Sequence, residues 1–120
     1  METKQVLAAL AALAQDTRLR IFRLLVETGP SGLAAGEIAA RLDVAAATLS
    51  FHLAQLEHAG LIASQRAGRS IIYAAGFDCM RDLIDYLTEN CCQGDGAVCA
   101  VSDCTAPLQA LGSKRTGKRA

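Results

Sequence analysis

Apolar side chains recur at helical spacing through the first half of the chain, in four stretches separated by turn-forming residues. The apolar positions are Val6, Leu7, Leu10 and Leu13 in the first stretch and Leu19, Phe22, Leu24, Leu25 and Val26 in the second. Gly29 and Pro30 stop the second stretch, and Gly60 is placed to end the fourth in the left-handed conformation. The pattern predicts four helices: residues 5–14, Asp16 or Thr17 to Gly29, Ala35–Leu42, and residues 45–58.

The period of the pattern changes after residue 60. Two short β-prone runs, at residues 61–62 and 71–73, flank a polar turn at residues 66–69, which is typical of a two-stranded hairpin. Beyond it, apolar residues at helical spacing predict a fifth helix from Phe77 or Asp78 to about Asn90. Residues 91–120 show no sustained period, so we expect loop and tail there, apart from a short turn near residues 107–111.

Two short helices joined by a tight turn and followed at once by a hairpin are the arrangement of a winged helix-turn-helix domain. The expected fold is therefore mainly α with a β-hairpin wing, with about five helices and two strands. In such a domain the second helix of the pair, here residues 45–58, enters the DNA major groove, and the hairpin lies beside it. Leu49, Leu53 and Leu56 recur at helical spacing on that helix and are expected to face the core.

The outer side of residues 45–58 suits contact with DNA, because alanines allow close approach and hydroxyl and amide groups can bond base edges or phosphates. Phe51 can touch a thymine methyl, and His52, at the boundary, either contacts phosphate or donates inward to the backbone. Two arginines at the hairpin tip can reach the DNA backbone or a narrow minor groove. Any one of these side chains could equally be an ordinary surface residue. The predicted DNA contacts are Ala47, Thr48, Ser50, Phe51, His52, Gln55, Arg66 and Arg69.

Length, composition and charge limit the function classes. At 120 residues and 52% hydrophobic content the chain is expected to form one compact domain with a substantial core. Its 12 basic and 12 acidic residues cancel, but four basic residues lie within residues 114–120, which leaves −4 for residues 1–113. Nucleic-acid binding must therefore come from a local patch, and we interpret the basic tail as a solvated end. The longest apolar run, residues 6–14, is too short to span a membrane, so we expect a cytoplasmic protein without a membrane partner.

The five cysteines all lie in the last third of the chain: Cys79, Cys91, Cys92, Cys99 and Cys104. An odd number of cysteines without a secretion signal argues against a structural disulfide framework and favours thiols that bind a soft ion or respond to redox state. Cys79 fits a small apolar residue of the fifth helix better than a ligand. The adjacent pair Cys91-Cys92 can clamp one small soft centre, and the glycine-containing loop behind it can fold Cys99 or Cys104 over that centre as a third ligand.

Residues 48–62, TLSFHLAQLEHAGLI, closely resemble the signature of the ArsR/SmtB family of metal-sensing bacterial repressors. Residues 65–69, QRAGR, and 16–25, DTRLRIFRLL, extend the resemblance, which covers about residues 5–90. It implies a homodimeric repressor that binds a palindromic operator and leaves it when an ion binds. We expect a DNA-binding and dimerisation domain over residues 1–90 and a cysteine-bearing loop and tail over residues 91–120. The dimer is expected to form through the first and last helices, whose apolar stripes exceed what one small domain can cover.

The resemblance alone does not name the inducer. The third helix, GEIAARL, lacks the cysteines of the best-known arsenic repressors, and both histidines lie in the recognition helix instead of forming the zinc-sensing pattern on the last helix. The adjacent pair with a later cysteine resembles family members that bind As(III), in which the third cysteine follows by a few residues, so Cys99 is expected first and Cys104 is an extra. The predicted metal site is therefore Cys91, Cys92, Cys99 and, less firmly, Cys104, with As(III) or also Sb(III) as inducer and no organic cofactor.

Charge supports a metalloid independently. Four thiolates on Zn²⁺ would carry −2 close to Glu89, Asp95 and Asp103, with no Lys or Arg between Asp82 and Lys114. Three thiols that condense with arsenous acid give a neutral site instead. A repressor that responds to zinc, cadmium or lead, or to thiol oxidation, stays open. So does an adaptor with structural zinc, whereas a thiol enzyme lacks a histidine or basic residue beside the cysteines to activate them, and we expect no enzyme.

Overall fold

The computed structural model describes residues 1–91. Five helices and three short strands follow one another along this part of the chain. The elements are α1 (Thr3–Leu13), α2 (Asp16–Thr28), β1 (Leu33–Ala34), α3 (Ala35–Leu42), α4 (Ala46–His58), β2 (Ile62–Ala67), β3 (Ser70–Ala75) and α5 (Phe77–Leu87). The mainly helical winged helix-turn-helix fold expected from the pattern is confirmed.

Local side-chain bonds explain where the first helices begin. Glu2 and Gln5 form a reciprocal capping box at the start of α1. At the start of α2, Gln15 accepts a hydrogen bond of 2.8 Å from the backbone N–H of Arg18. Gly29, with a φ of 95°, follows the last residue of α2, so the predicted stop is confirmed.

The sheet has one strand more than the two that the sequence predicts. The hairpin strands β2 and β3 pair antiparallel from Ile62 opposite Ala75 to Ala67 opposite Ser70. The added strand β1 pairs with the other side of β3, which gives the order β1-β3-β2. A side chain at Gly32 would collide with the carbonyl oxygen of Tyr73, so glycine there allows β1 to approach β3. Two residues are too few to show a period of two, which is why the pattern did not reveal this strand.

The core lies between the helices and the sheet, and the recognition helix contributes much of it. The largest fully buried side chains of the core are Ile21, Leu25, Ile38, Leu49, Leu53, Leu56 and Leu61. Helix α1 buries Val6 and two alanines, while Leu7 stays 61% exposed. Leu19, expected on the inner face of α2, is 43% exposed, so that expectation is wrong for this residue.

Helix α5 ends at Leu87, three residues before the predicted end at Asn90. The chain continues in a turn, in which the Cys91 N–H donates to the carbonyl of Thr88 at 2.9 Å and Asn90 has a φ of 57°. One compact unit spans Met1–Leu83, and the last turn of α5 belongs to a second unit that begins at Ile84. The boundary at residues 90–91 stays a prediction, and the turn predicted near residues 107–111 lies outside the described residues. No helix within residues 1–91 is long and apolar enough to cross a bilayer.

Candidate nucleic-acid interface

A tight turn sets the angle between α3 and α4. Asp43 adopts the left-handed conformation with a φ of 55°, and the Val44 N–H donates to the Ala39 carbonyl at 3.1 Å. Helix α4 then begins at Ala46 after an extended residue. The three predicted core leucines of α4 are each at most 2% exposed, so the helix is anchored along one face and presents the other to solvent.

The outer face of α4 carries no formal charge over its first two turns. Ala47, Thr48, Ser50 and Phe51 are all exposed, and Phe51 is 59% exposed. A large exposed aromatic ring beside two hydroxyl groups on a helix with small neighbours can offer both apolar contact and hydrogen bonds to base edges. Gln55 is also exposed, and it lines an open cleft of about 270 Å³ with residues of α1 and the start of α2.

The structure turns His52 inward. The side chain is only 9% exposed, and its Nδ1 lies 3.1 Å from Nη1 of Arg18. Since a guanidinium group only donates, His52 accepts this hydrogen bond through a neutral imidazole. Burial, and then the nearby Arg18 charge, lower the pKa of His52 below its ordinary value. The inward alternative is thus the one observed, but the partner is the Arg18 side chain and His52 accepts, where we expected donation to the backbone.

The wing presents its two arginines to solvent. Arg66 lies on β2 opposite Ile71, Arg69 lies in the turn, and both are exposed. Gly68 has a φ of 64°, which the tight reversal at the tip requires. The wing is also attached to the recognition helix, because Ser64 Oγ of β2 donates a 2.7 Å hydrogen bond to Glu57 Oε2 of α4.

Sequence reasoning missed the side chains that attach elements to one another. Arg18 bonds a histidine 34 positions away, and Arg20 Nη2 donates to the Leu42 carbonyl at 3.0 Å, 22 positions away. No spacing rule in one sequence predicts such pairs. The sequence gives a weak signal for Arg18. It lies in the first turn of α2, where a cation is unfavourable beside the positive end of the helix dipole, so a specific partner for its side chain is expected.

Of the predicted metal ligands, only Cys91 lies within the described residues, where it is half-buried just beyond α5. Cys92, Cys99 and Cys104 lie outside them. Within residues 1–91 no group of three or more histidine, cysteine or acidic side chains is placed to hold a metal ion. Cys79 is half-buried, and burial, and then the Asp82 carboxylate, raise the pKa of its thiol. A thiol that stays protonated at neutral pH is a poor ligand for a metal cation and a poor nucleophile, which agrees with the apolar role expected for Cys79.

Comparisons with known proteins agree with this geometry. The family described as "Helix-turn-helix domain" matches residues 13–65. The HTH-type transcriptional regulator YgaV of Escherichia coli is 33% identical over 89 residues, which are 74% of this chain and 88% of YgaV. An ArsR-like transcriptional regulator from Rhodococcus superposes with a TM-score of 0.67 at 27% identity, covering 83% of this chain and 92% of that one.

A further solved structure is the homodimeric winged helix-turn-helix DNA-binding domain of Mb0332 from Mycobacterium bovis, described as a possible ArsR-family regulator. It superposes with a TM-score of 0.60 at 27% identity and covers 72% of this chain and 81% of that one. These relatives are transcriptional regulators, which confirms that the chain is a DNA-binding regulator and not an enzyme. The tight α3–α4 turn, the anchored recognition helix and the wing together identify the chain as a member of the ArsR family of winged helix-turn-helix transcriptional regulators.

Proposed function

We propose that this chain is a homodimeric cytoplasmic repressor that leaves its operator when As(III), or Sb(III), binds the thiols of Cys91, Cys92 and Cys99, with Cys104 as an additional thiol. The observation that carries the proposal is the adjacent cysteine pair immediately after the last helix, with two more cysteines within the next 12 residues of the sequence. Three thiol ligands in a pyramid suit a trivalent metalloid.

Operator recognition would use α4 in the major groove. Thr48 and Ser50 would bond base edges or phosphates, Phe51 would pack against a thymine methyl, and Ala47 would allow the close approach that these contacts need. Because this face carries no cation, the charge contacts to phosphates would come from Arg66 and Arg69 of the wing. In a dimer the two recognition helices must lie about 34–36 Å apart to enter successive major grooves.

Exposed leucines and an isoleucine support dimerisation through α1 and α5. On α1, Leu7 is 61% and Leu10 is 39% exposed. On α5, Ile84 is 36% and Leu87 is 58% exposed. Large apolar side chains in excess of what a monomer needs are typical of an interface, and burying them between two copies supplies a hydrophobic driving force.

The chemistry of the cysteine site favours a neutral inducer. Arsenous acid condenses with three thiols, so that three As–S bonds replace three As–O bonds and three water molecules leave, with no change in the oxidation state of arsenic. The product is neutral, which suits a site at the negative end of the α5 dipole with Glu89 two positions before Cys91. Closure of the Cys99 loop on the Cys91-Cys92 pair would move α5 and change the spacing of the recognition helices. A coupling of about 1–3 kcal/mol would weaken operator binding roughly 5- to 150-fold.

Fluorescence anisotropy of the reduced protein on its own promoter DNA tests the proposal, with separate titrations of arsenite, antimonite, Zn²⁺ and a thiol oxidant. Release by arsenite at concentrations where Zn²⁺ has no effect is expected. Cys91→Ser and Cys92→Ser should bind DNA normally and no longer respond, and the matched control Cys79→Ser should respond like the wild type. Release by Zn²⁺ or by the oxidant alone would show that the inducer is not a metalloid. A transcription assay on the same promoter tests repression, and transcription that requires the bound protein would show that the protein is an activator.

A further inference from the structure

The end of α1, the start of α2 and the middle of α4 meet at one arginine. Arg18 Nε donates to the carbonyl of Ala12 at 2.7 Å, and Arg18 Nη1 donates to Nδ1 of His52 at 3.1 Å. Ala12 lies in the last turn of α1, where carbonyl groups have no partner inside the helix. One guanidinium group thus donates to a carbonyl in the last turn of α1 and to a side chain of α4 at the same time. We name these three residues the Arg18 triad.

The position of His52 on α4 relates the triad to the DNA-reading face. His52 lies at the edge of the buried face of α4, directly after the exposed Phe51, and the two rings are in edge contact with centroids 5.4 Å apart. Close packing of the buried leucines limits rotation of α4 about its axis, and a directional hydrogen bond at the edge of the buried face limits that rotation further. The bond between Arg18 and His52 is therefore placed to help set the direction in which Phe51 points.

We propose that Arg18 and His52 are positioning residues for DNA recognition, which tie the end of α1 to the recognition helix and fix the rotation of α4. The inference rests on the operator binding of the proposed function and is independent of the inducer. Helix α1 also carries the exposed Leu7 and Leu10, so the same hydrogen bonds would transmit a rearrangement of an α1 interface to the DNA-reading face.

The hydrogen bond between Arg18 and His52 depends on the protonation state of the imidazole. A protonated imidazole has an N–H on each nitrogen, so Nδ1 could no longer accept, and the new charge would repel Arg18. Arg18 is the charged group that acts on His52 from α2. The other charged or titratable side chains on the elements packed against the middle of α4 are exposed: Lys4 on α1, Asp16, Arg20, Arg23 and Glu27 on α2, Glu37 and Arg41 on α3, Arg66 on β2, and Glu57 and His58 on α4 itself.

Two variants separate positioning from mere folding. Arg18→Lys keeps the charge but offers a single ammonium group in place of the planar fork, and Arg23→Lys, at an exposed position of α2, is its matched control. His52→Asn places a neutral acceptor near the position of Nδ1 that does not titrate, and His58→Asn removes the exposed imidazole of α4. Circular dichroism at each pH establishes that every variant is folded.

Operator affinity is measured by anisotropy from about pH 7.5 down to about pH 5, the range in which a histidine changes charge. We expect Arg18→Lys to lose roughly tenfold in affinity at the upper pH, with Arg23→Lys unchanged. Wild-type affinity should fall as the pH is lowered, His58→Asn should fall in parallel, and His52→Asn should be flat. An unchanged affinity for Arg18→Lys, or a wild-type pH profile for His52→Asn, would overturn the inference alone. Wild-type protein that binds no promoter DNA at any pH would overturn the proposed function, and the inference with it.

Discussion

Ser64 of the wing and Glu57 of the recognition helix are joined by a hydrogen bond of 2.7 Å from Oγ to Oε2. These two elements would have to contact the same DNA duplex, so their relative orientation decides whether both can bind at once. A hydroxyl donating to a carboxylate makes a charge-assisted bond, which is stronger than a neutral one. The bond is exposed, so its effect on stability is expected to be small and its effect on orientation the larger one.

Replacing Ser64 by alanine should therefore weaken operator binding more than it weakens the fold. We expect affinity to fall roughly three- to tenfold, since the wing no longer has a fixed orientation, while the urea midpoint changes little. Gln65→Ala changes the next position of β2, which is also exposed, and should have less effect. Equal losses for the two variants, or a large loss of stability for Ser64→Ala, would show that the bond does not orient the wing.

The salt dependence of DNA binding should be shallow and should depend on the wing. Each protomer has two exposed wing arginines and a recognition helix whose outer face carries no cation over its first two turns. Four phosphate contacts in a dimer correspond to a slope of about −3.6 in a plot of log affinity against log salt concentration. Arg66→Gln or Arg69→Gln should each reduce the slope by about 1.8, because a dimer loses two contacts. Deleting residues 114–120 should leave the slope unchanged, and a much steeper wild-type slope would assign the tail to DNA.

Leu53 and Phe51 lie two residues apart on α4, and replacing one should reduce stability whereas replacing the other should reduce operator binding. Leu53 is 1% exposed, so Leu53→Ala leaves a cavity in the core and should cost about 2–5 kcal/mol in the free energy of unfolding. Phe51 is 59% exposed, so Phe51→Ala should leave the free energy of unfolding within about 0.5 kcal/mol of the wild type and weaken operator binding. Urea titration and anisotropy on the same two preparations check both statements. A stability loss for Phe51→Ala would place that ring in the core.

The recognition helix, the tight turn before it and the hairpin were predictable from the sequence, because each depends on neighbours within a few residues. Leu49, Leu53 and Leu56 mark their buried face by spacing alone, and the helical-to-strand change of period near residue 60 marks the hairpin. The exposed set of α4 follows directly from the buried one. For this reason, five of the six predicted DNA contacts on α4 are exposed in the structure, and the two on the wing are exposed as well.

The remaining predicted contact, His52, shows where such reasoning stops. Its environment depends on Arg18, which folding brings from a separate helix, and no local pattern contains that information. Strand β1 is similar, since two residues become a strand only because β3 lies beside them. The surplus of apolar side chains expected on α1 agrees with the exposure of Leu7 and Leu10. Val6 and two alanines fill the buried positions of α1, which leaves these two leucines outside.

Acid should destabilise the fold through His52. Burial and the Arg18 charge lower the pKa of this imidazole in the folded protein, whereas the unfolded chain takes up the proton near the ordinary value of about 6.5. Below that value the unfolded state binds more protons, so the free energy of unfolding falls as the pH drops from 6.5 through the folded-state pKa, and the stabilisation is fully present above 6.5. Urea unfolding of wild type and His52→Asn across this range measures it. The variant should lack this component, and the same slope in both proteins would assign it to other groups.

Helix α1 should hold the dimer together through the leucines that its buried alanines leave outside. Leu7 is the most exposed large apolar residue of the helix at 61%, so Leu7→Glu should not disturb the monomer core, yet it would place a charge in an apolar interface. We expect the variant to be folded, to sediment as a monomer, and to lose most of its operator affinity, because one protomer reaches only one half-site. Gln5→Glu introduces the same charge at an exposed position two residues earlier and is the matched control. A dimeric Leu7→Glu protein would exclude Leu7 from the interface, whereas a monomer with full affinity would show that dimerisation is not needed for operator binding.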